Sequence, residues 1–201
     1  MCRVIGISGT PGVGKTYVAR RISEIINGLY IDLSKEVVDK KLYSSYDMER
    51  GSYVADPDKI NDFIRELCEK NPDKIIVVDS HYPEIIDPSY IEKIFVLRAN
   101  PEKIAERLCE REWSREKIIE NIEAEILGVC LYNAVEEQDP FKICEIYEKD
   151  LEQAVKKILR ILREEDECRI MYIDWISVLE TSTPEEIYEK ICVRRDISRQ
   201  S

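Results

Sequence analysis

Positive charge is what this chain most lacks. Its 201 residues carry 30 Lys and Arg against 41 Asp and Glu, a formal net charge of -11. A protein that grips duplex nucleic acid needs a basic face to replace phosphate counterions, so direct duplex binding is not expected. The acidity suits a basic protein partner, or simply solubility. No apolar run approaches the roughly 18 residues that span a bilayer, so no membrane association is expected. The first apolar segment leads straight into a glycine-rich loop and reads as a core strand, not a signal peptide. No two cysteines have CxxC spacing. The seven, at 2, 68, 109, 130, 144, 168 and 192, form neither a recognisable disulfide framework nor a zinc-site pattern. They read mostly as small, reduced core residues, which implies an intracellular, cytoplasmic protein. Glycine is scarce, with 7 in the chain. Together with abundant Lys, Glu and Ile, that hints at adaptation to heat.

What is present is an alternation of buried strands and amphipathic helices. Residues 2–8 form a short apolar run ending in the glycine-rich loop. From Thr16 to Ile26, Val18, Ile22, Ile25 and Ile26 recur at helical spacing. Residues 29–33 read as a second strand. Residues 34–58 are polar and tyrosine-bearing without a long apolar stripe, as expected of an insert lying over the core. Lys59 to Glu69 reads as a helix, residues 75–78 as the clearest buried strand, and residues 94–97 as another. Pro101 suits the first turn of a helix running to about Glu112. Ser114 opens a long helix to about Val135. A strand at 143–146 and a helix from Leu151 to Leu162 follow. Residues 170–175 read as a short strand or an extended segment, and Pro184 to Cys192 as a last helix. The pattern predicts an α/β fold with a doubly wound parallel five-stranded sheet.

Residues 9–16, Gly-Thr-Pro-Gly-Val-Gly-Lys-Thr, match the P-loop pattern G-x-x-x-x-G-K-[ST]. Its glycines let backbone N–H groups curl around phosphate oxygens, and the following helix adds the positive end of its dipole. Lys15 is placed to neutralise β- and γ-phosphates, and the Thr16 hydroxyl to hold Mg²⁺. Asp79 ends the apolar run 75–78, where a Walker-B carboxylate for the same Mg²⁺ belongs; a helix-cap or turn aspartate is the plainer reading. His81, the single histidine, lies two residues further on. It could orient a water or hydroxyl near the γ-phosphate. Arg107, Arg111 and Arg115, with Arg98 nearby, form an arginine set suited to the charge of phosphoryl transfer. Arg107 and Arg111 share a helix face. Surface pairing with Glu106, Glu110 or Glu112 explains them equally well.

These pieces together resemble one family. The P-loop at 9–16, Asp79-Ser80-His81, Val96-Leu97-Arg98, Glu106-Arg107-Leu108 with Arg111, and the stretch from Lys117 to Ile126 are similar to the isoenzyme-6, or nuclear-type, adenylate kinases. Archaeal members of that family are described as putative adenylate kinases. The resemblance covers about residues 1–165, leaving 166–201 as a C-terminal extension in which Ile173-Asp174-Trp175 also matches archaeal members. It implies a P-loop NTPase fold with a nucleoside monophosphate-binding insert at about 32–55 and a short lid at about 110–120. It further implies a kinase that transfers the ATP γ-phosphoryl group to AMP, with accompanying ATPase activity. Gly12, Gly14, Lys15, Thr16, Tyr17 and Arg111 would contact ATP. Lys15, Asp79, His81, Arg107 and Arg111 would serve the reaction, and Thr16 and Asp79 would hold Mg²⁺. The resemblance also implies a part in small ribosomal subunit maturation, through a small-subunit ribosomal protein with a basic tail. Three positions depart from the family: Tyr17 in place of a small hydroxyl residue, Val38 where an arginine for the AMP phosphate is expected, and Glu112-Trp113 where Gly often precedes an aromatic.

Overall fold

The computed structural model describes residues 2–48 and 51–193. The part of the C-terminal extension at 194–201 lies outside the described residues. Five parallel strands form the central sheet in the order β2-β5-β1-β6-β7: β1 (Arg3–Ser8), β2 (Leu29–Asp32), β5 (Ile75–Asp79), β6 (Ile91–Leu97) and β7 (Ile143–Ile146). The expected parallel five-stranded α/β sheet is therefore observed. β1 sits in the middle, paired with β5 on one side and β6 on the other. Chain order reverses on either side of β1, which opens a crevice at the C-terminal ends of these strands.

The two faces of the sheet follow from strand alternation. Ile5, Ile7, Val77, Phe95, Leu97 and Cys144 pack on one face. There they meet α1 (Lys15–Ile25), α4 (Pro101–Cys109), α5 (Arg115–Leu127) and α7 (Leu151–Leu162). Val4, Ile76, Val78, Ile94, Val96 and Ile143 pack on the other. Their partners are α2 (Leu33–Asp39), α3 (Pro57–Lys70) and α6 (Val129–Glu137). Phe95 is wholly buried, and burying a side chain of that kind stabilises the fold by about 1.5–3 kcal/mol. The helix starts are capped as their sequences suggest: Asn100 accepts from Glu102 N with Pro101 in the first turn, and Asp150 accepts from Gln153 N.

Four expectations are corrected. The helix expected from Ser114 to Val135 is two helices, α5 and α6. Gly128 adopts φ 67, which ends α5 and redirects the chain. The insert at 34–58 has more structure than its polarity suggested. It comprises α2, which buries Leu33 and Val37, and a hairpin of β3 (Tyr43–Asp47) and β4 (Ser52–Ala55). Residues 170–175 form neither a strand nor a uniformly extended segment: the chain bends at Met171, which holds φ 57, and Trp175 holds φ -96 and ψ -5.

The cysteines are the fourth correction. Disulfides join Cys2 to Cys68, Cys109 to Cys192 and Cys144 to Cys168, with only Cys130 free. The partners lie 66, 83 and 24 residues apart, and only folding brings their elements together, so spacing carried no signal. The inference of a reducing compartment loses its basis in the cysteines. Among the described residues, no helix is long and apolar enough to cross a membrane.

Candidate active site

The loop between β1 and α1 turns on three glycines in the left-handed region: Gly9 at φ 130, Gly12 at φ 96 and Gly14 at φ 109. At Gly9 a Cβ would lie 2.4 Å from the Leu97 carbonyl oxygen, and at Gly14 one would meet Leu151 at 2.7 Å. Gly9 therefore demands glycine on steric grounds as well as conformational ones, whereas at Gly14 the left-handed backbone is the stronger reason, because the end of the Leu151 side chain can move. The curled loop walls a cleft of about 520 Å³ that also takes in Thr16, Asp79, His81 and Arg111. That volume falls within the range of small-molecule sites.

Lys15 opens α1, and its ammonium donates to the carbonyls of Gly9 at 2.6 Å and Thr10 at 3.3 Å. Burial pushes its pKa down, against the opposing pull of the surrounding acidic groups. Thr16 Oγ1 donates to Asp79 Oδ2 at 2.6 Å. The two residues predicted to share a metal are therefore in direct contact. A hydroxyl that spends its proton on the carboxylate keeps lone pairs for a cation. Among the described residues no cluster of three or more His, Cys, Asp or Glu could hold a metal. One hydroxyl and one carboxylate suit Mg²⁺, which binds few protein oxygens and completes its shell with substrate phosphates and water.

His81 stands at the cleft edge, its ring edge-on to Tyr82 at 4.4 Å. Part of the ring reaches solvent, yet surrounding protein crowds it. That burial, helped by the Lys15 charge, brings its pKa down to about 4. The imidazole is thus neutral near pH 7 and able to accept a proton.

The four arginines separate. Arg107 and Arg111 line the cleft. Arg107 Nη1 donates to the carbonyls of Gly12 at 2.7 Å and Val13 at 3.1 Å, so Arg107 braces the phosphate loop itself. Arg115 faces the C-terminal segment, 3.6 Å from Glu189 and over the Tyr188 ring. Arg98 is buried between Glu125 at 2.8 Å and Glu145 at 2.5 Å. Neither of the latter two reaches the cleft lining. Glu112 holds a left-handed φ of 57 in the turn between α4 and α5, a conformation disfavoured for a residue with a Cβ. Tyr17 lines the cleft and donates its hydroxyl to Glu152.

The cleft lining also includes Asp32, Ser34 and Ser80. Asp32 pairs with Asp79 across β2 and β5 and caps α2 through Lys35 N at 3.1 Å. Val38 is 46% exposed and outside the cleft lining. Lys40 is engaged with Glu36 at 3.5 Å and lies over the Phe63 ring.

Several contributors escaped the sequence reading. Thr10 Oγ1 donates to Glu125 Oε2 at 2.7 Å, which ties the phosphate loop to the buried Arg98 pair. Tyr30 donates to Asp79 Oδ2 at 3.1 Å. Tyr30 carries the one signal that could have found it: an aromatic two residues before the end of a strand beside the Walker-B strand.

This fold and cleft define an ATP-dependent phosphotransferase of the P-loop class. The particular family follows from comparison with known proteins. Residues 5–128 match the family model described as AAA domain. A protein of Methanocaldococcus jannaschii named "Putative adenylate kinase" is 39% identical over 173 residues, covering 85% of this chain and 92% of its own. A protein of the same name from Methanococcus maripaludis is 42% identical over 166 residues, covering 79% and 88%. The chain belongs to this archaeal adenylate kinase family. Among solved structures, shikimate kinase from Acinetobacter baumannii superposes with a TM-score of 0.55 at 15% identity, covering 83% of this chain and 96% of that one. Shikimate kinase from Bacteroides thetaiotaomicron gives 0.50 at 15% identity, covering 80% and 98%. Those two likenesses concern the fold alone.

Proposed function

We propose that the protein transfers the γ-phosphoryl group of ATP to AMP, giving two ADP, and hydrolyses ATP as an accompanying activity, in the manner of the isoenzyme-6 adenylate kinases. The observation that carries this reading is the meeting, in one cleft, of the phosphate loop, the Thr16–Asp79 pair and a neutral His81. Backbone N–H groups of the loop and Lys15 hold the β- and γ-phosphates. Thr16 and Asp79 would hold Mg²⁺, which when bound offsets charge on those phosphates. Arg111, from the lid at about 110–120, offsets charge on the transferred group. The segment at about 32–55 receives the nucleoside monophosphate, and His81 orients the accepting oxygen. In this reading residues 1–165 form the kinase domain and 166–201 an extension. The protein acts in the cytoplasm in small ribosomal subunit maturation, with a small-subunit ribosomal protein that has a basic tail as partner.

A second reading is an ATPase assembly factor with residual kinase activity. It is favoured by Val38 and by the cations of the cleft lining, which among the described residues are Lys15, Arg107 and Arg111. Lys15 belongs to the phosphate loop, Arg107 to α4 and Arg111 to the lid, so none comes from the insert, and a lysine from the insert cannot form an arginine's bidentate clamp on an acceptor phosphate.

The two readings separate by product. ADP formation from ATP is measured with and without AMP, and the nucleotides are assigned by chromatography. The kinase reading expects AMP to be consumed with two ADP formed per turnover. Unconsumed AMP sinks it, and intact ATP in both arms sinks the ATPase reading as well.

A further inference from the structure

Tyr30 and Arg20 lie outside the phosphate motif, yet they lead directly to its carboxylate. β2 runs parallel to β5 with Tyr30 opposite Val77 and Asp32 opposite Asp79. Tyr30 thus shares a sheet face with Asp79 and stands one pleat behind it. A phenol is long enough to cover that diagonal. Its hydroxyl donates to Asp79 Oδ2 at 3.1 Å, the same oxygen that accepts from Thr16 at 2.6 Å. Two donors on one oxygen fix the carboxylate's rotation and leave Oδ1 for other partners. On its outer side the Tyr30 ring carries the Arg20 guanidinium, 5.1 Å from the ring centroid. Arg20 is solvent-exposed and projects from α1, the helix that begins with Lys15 and Thr16. A cation over the ring face is attracted to it and holds it in place. Arg20, Tyr30, Asp79 and Thr16 therefore form one chain from the surface of α1 back to its first turn, passing through two strands.

We infer that Tyr30, held by Arg20, is a positioning residue for the Asp79 carboxylate and sets how strongly the protein uses Mg²⁺ in binding nucleotide. The inference rests on ATP and Mg²⁺ occupying the phosphate-loop cleft and is independent of which acceptor follows. Hydrogen-bond partners behind a metal-holding carboxylate orient it, and their loss typically costs about 10–100-fold in metal affinity. Tyr30 contributes this control without touching phosphate.

The test is Tyr30→Phe, which keeps the ring, its packing and the Arg20 guanidinium over its face and removes the hydroxyl, with its hydrogen bonds to Asp79 and Arg20. Binding of a non-hydrolysable ATP analogue is measured by calorimetry with excess Mg²⁺ and with chelator. The unsubstituted protein binds more tightly with Mg²⁺. In Tyr30→Phe that Mg²⁺-dependent gain shrinks by about 10-fold, while affinity in chelator stays unchanged. Arg20→Gln, an exposed substitution, moves the gain in the same direction by a smaller factor, and it carries the test alone if Tyr30→Phe does not fold. The Mg²⁺ concentration for half-maximal ATP turnover rises in step. An undiminished Mg²⁺ gain overturns the inference. So does an equal loss of affinity with and without Mg²⁺, because that is the mark of general damage to the site. Failure of AMP to act as acceptor leaves this readout untouched, so the two proposals fail separately.

Discussion

Thr10 in the phosphate loop and Glu125 in α5, 115 positions apart, share a buried hydrogen bond of 2.7 Å. Glu125 also accepts from Arg98 Nε at 2.8 Å and from Ala99 N at 3.0 Å, and it is 1% exposed. Burial raises its pKa, and Arg98 is the largest influence in the opposite direction. One carboxylate thus joins the loop, the end of β6 and α5.

Removing that carboxylate strands a buried guanidinium. Glu125→Ala is expected to cost about 3–5 kcal/mol in urea or thermal unfolding, towards the lower end because Glu145 still pairs with Arg98. Glu125→Gln keeps the shape and an acceptor for Thr10 and should cost less. Equal stability of all three proteins would show that the network is energetically idle.

His81 sits where a neutral imidazole can orient or deprotonate the attacking group. His81→Ala is expected to lower ATP hydrolysis without AMP by about 10²-fold, the lower range for a positioned acid–base group, and to lower AMP phosphorylation by less. Lys15→Ala serves as reference and should lower both rates by at least about 10²-fold. Equal losses in the two reactions of His81→Ala would count against a water-positioning role.

Glu84 brings a pH dependence that is independent of the cleft. It is 7% exposed, its Oε2 finds no hydrogen-bond partner, and burial pushes its pKa up to about 7. The folded protein therefore holds this proton more tightly than the unfolded chain. Its contribution to stability is full below the unfolded pKa near 4.5 and is lost as pH rises towards 7. The loss amounts to about 3 kcal/mol. His81, whose pKa is lowered, contributes in the opposite direction over nearly the same window, so the readout is the difference between parent and Glu84→Gln, in which that contribution cancels. Chemical denaturation at a series of pH values should show the stability of the parent relative to Glu84→Gln falling as pH rises from about 4.5 to 7, and a difference that does not change with pH would contradict the assignment.

The disulfides predict a thiol count. Alkylation of unfolded, unreduced protein should label one cysteine, Cys130, and labelling after reduction should reach all seven. In the folded protein Cys130 should react slowly, because burial pushes its pKa up to about 11 and only the thiolate attacks. Mass spectrometry reads the count directly, and rapid labelling of several cysteines before reduction would contradict the pairing.

Local chemistry made much of the molecule legible. The strand at 75–79, the α7 bounds at Leu151 and Leu162, and the glycines of the phosphate loop all follow from apolar periodicity or from backbone freedom. Each is a short-range property. The single helix expected through Val135 failed because apolar residues continue at helical spacing across Gly128. Only the observed left-handed backbone there shows the break. The insert at 34–58 shows no long apolar stripe because the buried Leu33, just before it, and Val37 and Leu42 within it are spread over a short helix and a turn.

The arginines mark the boundary between the two kinds of information. Sequence by itself determined that Arg98, Arg107, Arg111 and Arg115 fall near one another along the chain. It also determined that a strand, a phosphate loop and a helix stand in the order that ATP binding requires. Only the tertiary structure decided that Arg111 lines the cleft, that Arg107 braces the loop, that Arg98 is buried against Glu125 and Glu145, and that Arg115 faces the C-terminal segment. The same holds for the line from Arg20 through Tyr30 to Asp79 and for the three disulfides. The reason is physical: a charge, a hydroxyl or a thiol acts through what lies within a few ångströms of it, and in a parallel sheet those neighbours come from strands and helices far apart in the chain.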